Sequence, residues 1–291
     1  MNSPLSSVSV GELLDELAAV LAGDGIPPDR GGARDLIAAV LDQPRFWPSG
    51  HRDVALDDAR SRGARVAAAA IRAGTPFAYA VGTAAFRHLT LRVDPRVLIP
   101  RPETEMLVDL ALGATGGRGV VADIGTGSGA IALALAAEGR FERIIATDLS
   151  ADALDVARAN RAAIPADKRD AIEFRQGDLA APLAGLQVTA LVSNPPYIAT
   201  TERDDLPASV LEHEPAMALF AGEDGMSVID RLVVEAADVV APGGVMVLEI
   251  DSRRAELART RAETNGRWSD VRIRSDLTGR ERFLVARRST R

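Results

Sequence analysis

The chain has no cysteine among its 291 residues and only three histidines, His51, His88 and His213, spaced far apart. Without thiols there is no disulfide framework, no thiolate zinc site and no cysteine nucleophile. The scattered histidines argue against a histidine-rich metal cluster and against a Ser-His-Asp triad. No window approaches the roughly 18 uninterrupted apolar residues of a membrane-spanning helix. Glu12, Asp15 and Glu16 interrupt the first apolar stretch, which therefore lacks the basic-then-apolar pattern of a secretory signal. The expectation is a soluble, cytoplasmic protein that works without a tightly held metal. Basic runs are missing as well. The net charge is −7. Lys+Arg and Asp+Glu balance over residues 1–100, so the acidic excess lies wholly in the remainder. An acidic domain without a basic run repels free nucleic acid and suits a basic protein partner better.

What is present is a globular composition, 47% apolar and 26% charged, enough for two ordinary domains. The first part reads as a small helical bundle over residues 1–77. Ser9 and Glu12 are spaced as a capping box ahead of Leu13, Leu14, Leu17, Val20 and Leu21, which repeat with helical period. Further helices are predicted over 33–41 and about 57–72, the last ending at Gly74-Thr75-Pro76. Residues 78–100 read as a linking β-hairpin or two short strands, carrying Phe86, Leu89, Leu91 and Val93 and broken by Gly82 and Asp94-Pro95.

Residues 101–291 alternate strand and helix. Strands are predicted at 120–124, 144–147, 171–175, 190–193 and 245–250, with helices at 103–112, 130–138, 151–161, 228–240 and 254–264. Short apolar strands separated by helices predict a parallel sheet covered on both faces, an α/β fold. The last two strands, 271–274 and 282–286, have no helix between them and read as an antiparallel hairpin closing the sheet edge. Trp47 and Trp268 read as packing residues.

The sharpest local signal is Asp123-Ile124-Gly125-Thr126-Gly127-Ser128-Gly129, directly after one predicted strand and directly before a helix. Glycines let backbone approach a ligand closely, and the helix start offers unpaired N–H groups. A ligand-free turn would use glycines too. Asp148, however, stands at the end of the next strand, where a carboxylate can accept both ribose hydroxyls of a nucleoside cofactor. NAD is compatible, because Gly125, Gly127 and Ala130 satisfy the G-x-G-x-x-A form. S-adenosyl-L-methionine fits better: the glycines alternate, Asp123 offers a negative charge to a cofactor carrying ammonium and sulfonium, and the sheet ends in an antiparallel hairpin.

The second signal is Asn194-Pro195-Pro196-Tyr197, at the carboxyl end of the fourth predicted strand of this domain, where open α/β sheets bind ligands. The side-chain carbonyl of Asn194 and the backbone carbonyl of Pro195 can accept both hydrogens of a planar NH₂ group. Pro195 and Pro196 restrict the backbone and so preorganise these acceptors. Tyr197 can stack on the planar group. Amide and aromatic amine nitrogens are poor nucleophiles because the lone pair is delocalised; accepting both N–H bonds favours pyramidalisation and attack on a methyl carbon.

With these motifs in place the chain resembles the protein-glutamine methyltransferases that modify class 1 peptide chain release factors. The matching stretches are Leu98-Ile99-Pro100-Arg101-Pro102-Glu103-Thr104-Glu105, Asp123 to Gly129, Ser193-Asn194-Pro195-Pro196-Tyr197-Ile198, and Glu214-Pro215 through Ala218-Leu219 to Gly222-Glu223-Asp224-Gly225. The similarity extends over nearly the whole chain, including the helical N-terminal domain. Asn-Pro-Pro-Tyr alone is shared with DNA adenine methyltransferases, so a nucleic-acid amino-group methyltransferase is the alternative reading. The resemblance implies a Rossmann-like sheet, with Gly125, Thr126, Gly127, Ser128 and Gly129 lining the methionine and ribose of S-adenosylmethionine. It further implies that Asp148 holds the ribose, that Leu179 lies near the adenine, and that Asn194 to Tyr197 grip the glutamine of a Gly-Gly-Gln tripeptide.

Two departures stand out. Family members often carry an aromatic residue where Leu179 stands, and many follow Leu-Glu-Ile with Gly and a nearby Gln, where this chain has Asp251-Ser252-Arg253-Arg254. Arg101 to Glu105 has the composition of a helix start, with proline and acids in the first turn, and could also shape the substrate entrance. The segment from Glu202 to Glu214 holds five acids against one arginine, a charge pattern suited to a basic substrate domain.

Overall fold

A computed structural model describes residues 8–22 and 27–290, which fall in two compact units, Met1–Thr83 and Ala84–Arg291. In the first unit the capping box is made: Ser9 Oγ accepts from the Glu12 amide at 3.2 Å, and Glu12 Oε2 accepts from the Ser9 amide at 2.8 Å. It opens α1 (Val10–Ala22). The second helix, α2 (Arg30–Val40), starts earlier than periodicity predicts. The Asp29 side chain caps it by accepting from the Gly32 amide at 2.8 Å, and this offsets the poor helix propensity of Gly31 and Gly32. The third, α3 (Asp58–Arg72), is capped by Asp57. Leu13, Leu14 and Leu17 meet Leu36 and Ile37 in one core, and the small residues Ala64, Ala67 and Ala68 let α3 approach closely. Trp47 packs at the edge of this core and stacks on His51 with ring centroids 4.2 Å apart.

The predicted linker is shorter in strand than expected. Phe77–Val81 is a helical turn ended by Gly82 at φ 76°, and only β1 (Thr83–Phe86) and β2 (Leu89–Arg92) are extended. These two strands form a two-stranded sheet.

The second unit is built on a seven-stranded sheet. Its elements are α4 (Glu105–Thr115), β3 (Val120–Ile124), α5 (Ala130–Glu138), β4 (Arg143–Asp148), α6 (Ala151–Asn160), β5 (Ile172–Gln176) and β6 (Val188–Ser193). Then follow α7 (Ser227–Val239), β7 (Val240–Glu249), α8 (Ala255–Thr264), β8 (Trp268–Ser275) and β9 (Glu281–Arg288). The strand order is β8-β9-β7-β6-β3-β4-β5. β5, β4, β3, β6 and β7 pair in parallel, while β9 joins β7 and β8 antiparallel. Both faces are covered, as the apolar strands require. Val121, Val192, Val245 and Val247 point into one core with Leu107 and Leu133. Ala122, Leu191, Met246 and Leu248 point into the other with Ile229 and Leu232. Trp268 packs in this second core and donates its indole N–H to the Val233 carbonyl at 2.8 Å. Among the described residues no helix is long and apolar enough to cross a membrane.

Asn160, at the end of α6, joins the small hairpin to the glycine loop. Its Oδ1 accepts from the Arg92 amide at 2.7 Å, and its Nδ2 donates to the carbonyls of Arg92 and Ser128, both at 2.9 Å. Asn160 is 2% exposed, so each lost bond leaves a buried group unpaired at about 1–3 kcal/mol. Asn160→Ala is expected to lower the unfolding midpoint in urea by an amount worth about 3 kcal/mol or more, measured by circular dichroism.

Candidate active site

The strand order reverses between β3 and β6, and the carboxyl ends of these two strands open onto a cavity of about 380 Å³. Its walls draw on the stretch ahead of α4, on the glycine loop, on residues 147–150 and 177–179, on parts of the segment from Pro215 to Arg231, and on Asn194 and Pro196. The floor is held by one rung of the sheet: Ser193 pairs with Ile124 and its hydroxyl donates to the Ile124 carbonyl at 2.7 Å.

Gly125 and Gly127 adopt φ of 68° and 55°, and a Cβ on either would project into open space. Thr126 and Ser128 line the same wall. Gly129 serves differently and is not on the wall. At φ 84°, a Cβ there would stand 3.1 Å from Leu133 Cδ1 and 3.2 Å from Ala157 Cβ, so glycine lets α5 start against α6.

Asp148 lines the cavity. Its Oδ2 accepts from the Gly127 amide and its Oδ1 from the Ser150 amide, both at 2.9 Å. Each carboxylate oxygen keeps lone-pair capacity beyond those bonds. Burial pushes its pKa up, against the backbone N–H groups that pull it down.

Asp123 corrects an expectation, for it does not reach the wall. It is fully buried beneath the loop, where Oδ2 accepts from the Thr126 hydroxyl at 2.6 Å and the Ala132 amide at 3.1 Å. Its Oδ1 has no hydrogen-bond partner among the described residues. Burial, with a smaller contribution from the Asp148 charge, pushes its pKa up to about 7. The carboxylate thus shapes the loop directly and acts on a ligand only through its field.

The Asn-Pro-Pro-Tyr segment divides in the same way. Asn194 and Pro196 line the cavity, whereas Pro195 is buried behind it. Tyr197 packs against the core on that sheet face, because the chain has already turned toward the short bridge between Ile198 and Phe220. Burial first, and the negative charge of Glu249 second, push the Tyr197 hydroxyl up to about 12. This phenol is a support under the motif, and the stacking role read from the sequence does not match its place. Asn194 Nδ2 donates to Thr104 Oγ1 at 3.0 Å, and Oδ1 accepts no bond among the described residues. Leu179 lines the cavity at φ 43°, a conformation leucine rarely adopts; its carbonyl accepts from the Thr147 hydroxyl at 3.4 Å.

Motif reading did not pair Arg101 with Glu214, and it missed Glu249 and Asn160. Arg101 donates to both carboxylate oxygens of Glu214 at 2.7 Å, joining two stretches 113 residues apart, with the Glu214 side chain 2% exposed. Removing Arg101, whose own side chain is 35% exposed, would leave the buried Glu214 carboxylate uncompensated. Glu249 is buried at the end of β7, and burial pushes its pKa up to about 7. A lone acid inside the apolar run Val245-Met246-Val247-Leu248-Glu249-Ile250 was a signal available in the sequence. Asn160 offered none. The departure at Asp251 to Arg254 also has a structural account. Arg253 and Arg254 reach Glu202 at 2.8 and 2.9 Å, Glu202 accepts from the Ala199 amide at 3.1 Å, and Arg254 donates to the Asp224 carbonyl. This network ties the segment after Tyr197 to the end of β7.

The family model for the methyltransferase small domain matches residues 103–222, which span the glycine loop and Asn194. A release factor glutamine methyltransferase from Deinococcus radiodurans is 39% identical, over 96% of this chain and 98% of that protein. The chain belongs to the release factor glutamine methyltransferase family. Members from Mycolicibacterium smegmatis and Streptomyces coelicolor are 43% and 40% identical over 74% of this chain and 76% of theirs. Among solved structures, a methyltransferase from Pyrococcus furiosus superposes with a TM-score of 0.50 at 19% identity, covering 70% of this chain and 91% of that one. The hMettl16 catalytic domain, solved with MAT2A 3′UTR hairpin 6, gives 0.56 at 14% identity over 81% and 83%. At such identities both show the fold alone.

The fold is therefore that of S-adenosylmethionine-dependent methyltransferases, the chain is an enzyme of that class, and its cofactor is S-adenosyl-L-methionine; the dinucleotide reading falls. The open cradle at Gly125 and Gly127, the carboxylate of Asp148 and the unpartnered Asp123 oxygen under the loop fit a nucleoside with a cationic end.

Asp123 also makes a prediction without ligand. A carboxyl whose pKa rises from 3.8 to about 7 on folding contributes stability below pH 4 that is lost as pH climbs toward 7. Asp123→Asn removes that slope, so the difference in stability between variant and wild type should shift in favour of the variant between pH 4 and 7 in denaturant titrations.

Proposed function

We infer that this enzyme transfers a methyl group to the side-chain amide nitrogen of the glutamine in the Gly-Gly-Gln tripeptide of a class 1 peptide chain release factor. One observation carries the reading: at the mouth of the glycine-lined cavity, Asn194 has its NH₂ committed to Thr104, so its free group is an acceptor. A primary amide presents two N–H donors. Asn194 Oδ1 accepts from one of them, and the prolines that follow restrict the backbone that carries this oxygen. Accepting that hydrogen draws the nitrogen lone pair out of conjugation, which a delocalised amide needs in order to act as a nucleophile. When bound, S-adenosylmethionine supplies an electrophilic methyl carbon. Gly125 to Ser128 hold its amino-acid and ribose parts, Asp148 accepts from the ribose hydroxyls, and Leu179 packs beside the adenine. No histidine is required, and His213, at the end of a short helix, does not line the cavity.

A protein substrate also suits the charge. Of the five acids between Glu202 and Glu214, Glu202 and Glu214 are spent on Arg253, Arg254 and Arg101. Asp204, Asp205 and Glu212 stay exposed on the segment that runs from Pro196 to Pro215, available to a basic domain that also binds ribosomal RNA. The N-terminal unit, Met1–Thr83, serves to bind or orient the release factor. A nucleic-acid substrate would instead need a basic groove, which the net charge of −7 does not favour.

The direct test incubates the enzyme with labelled cofactor and a full-length release factor, intact or with Gln→Ala in its Gly-Gly-Gln. Label should enter the intact protein alone; label in the variant would overturn the substrate assignment. Asn194→Ala should lower kcat about 10²–10³-fold with cofactor affinity retained, the scale seen when one preorganised polar contact to a reacting group is removed. Raising ionic strength from 50 to 300 mM should raise KM for the release factor, and Asp204→Asn with Asp205→Asn should flatten that dependence.

A further inference from the structure

Within Arg101 to Glu105, Thr104 stands at the N-cap position of α4 but makes no capping bond with its side chain. Thr104 is 5% exposed, and its hydroxyl lies between the side chains of Asn194 and Glu249. Thr104 Oγ1 donates to Glu249 Oε2 at 2.7 Å and accepts from Asn194 Nδ2 at 3.0 Å. Sheet register explains the meeting. Ser193 pairs with Leu248 across β6 and β7, so Asn194 and Glu249 each stand one step beyond that pair, with Thr104 above both strand ends.

A hydroxyl has one hydrogen. Committed to the Glu249 carboxylate, it leaves only lone pairs for Asn194, and against lone pairs the amide of Asn194 must present its NH₂. Its oxygen is then turned to the cavity, where an incoming NH₂ needs an acceptor. Turned over, Asn194 would set oxygen against oxygen at Thr104 and its own NH₂ against the substrate's, two mismatches in a poorly solvated place. We propose that Glu249 and Thr104 are positioning residues that select the reactive orientation of the Asn194 amide. The proposal rests on the function inferred above. It adds that the Asn194 amide orientation is decided two hydrogen bonds away.

The test compares Thr104→Val, Thr104→Ser and Glu249→Met by methyl transfer to the full-length release factor, S-adenosylhomocysteine binding and thermal unfolding. Thr104→Val should lose about 10- to 100-fold in kcat, on the scale of small misplacements of reacting groups. Thr104→Ser, which restores the hydroxyl, should recover most of that loss. Glu249→Met frees the Thr104 hydrogen to meet Asn194 Oδ1 and should lower kcat at least about tenfold. Because it replaces a buried carboxyl with an apolar chain of similar size, its Tm should not fall. All three should bind S-adenosylhomocysteine as wild type does. A valine variant with wild-type kcat, a serine variant as slow as valine, or loss of cofactor affinity parallel to the loss of kcat would each overturn the relay. Wild type inactive on release factors would sink the proposed function instead. The relay is then read without substrate by NMR: the Asn194 side-chain amide protons, assigned by their loss in Asn194→Ala, should exchange slowly in wild type and faster in Thr104→Val, and equal rates would refute it.

Discussion

The rung between Ile124 and Ser193 is the constraint on which the site depends. β3 and β6 are parallel neighbours although β4 and β5 lie between them in sequence, so the chain leaves β3 toward one side of the sheet and returns at β6 toward the other. The connections diverge at that point and leave a crevice above the strand ends. The Ser193 hydroxyl on the Ile124 carbonyl locks the two ends level. A slip of one residue would turn Asn194 to the opposite face and separate it from the glycine loop. Everything chemical here is mounted on that rung: the loop on one side, the Asn194 acceptor on the other, the cavity between.

Around the rung the site is stiffened by buried polar contacts. Asp123 is placed where burial disfavours its charge, Asp148 spends one oxygen on the Gly127 amide of the loop and the other on the Ser150 amide, and Glu249 is buried at a strand end. Each arrangement costs stability in isolation and is retained where geometry matters. The hydrogen bonds run inward from the cavity wall to buried carboxylates, so the orientation of the exposed groups is set by atoms no substrate touches. The outer wall is held by ion pairs, Arg101 to Glu214 and the arginines after β7 to Glu202. Without them the long segment between β6 and α7, which has little apolar core of its own, would have few fixed contacts.

Much of this was legible in the chain. The alternation of apolar strands with helices and the terminal hairpin without a helix specify the sheet class by periodicity alone. Asp123 to Gly129 and Asn194 to Tyr197 announce themselves because their residue types are restrictive: alternating glycines, and two prolines after an amide. Less visible were the start of α2, where a single capping bond from Asp29 outweighed two glycines, and the short helical turns between β6 and α7, which have no periodicity long enough to detect.

The sequence by itself determined the fold class, the cofactor chemistry and the two loops that meet at the site, because each is written in local pattern and in residue types with few alternative uses. Only the tertiary structure decided which members of those motifs face the cavity. Asp123, Gly129, Pro195 and Tyr197 belong to the motifs and lie behind the wall, since a loop must use part of its own residues to hold the rest in place. It also decided that Thr104 and Glu249 stand beside Asn194. Contacts between residues 90 and 145 positions apart depend on which strands become neighbours, and that is settled by burial of both sheet faces at once, not by any short stretch of chain.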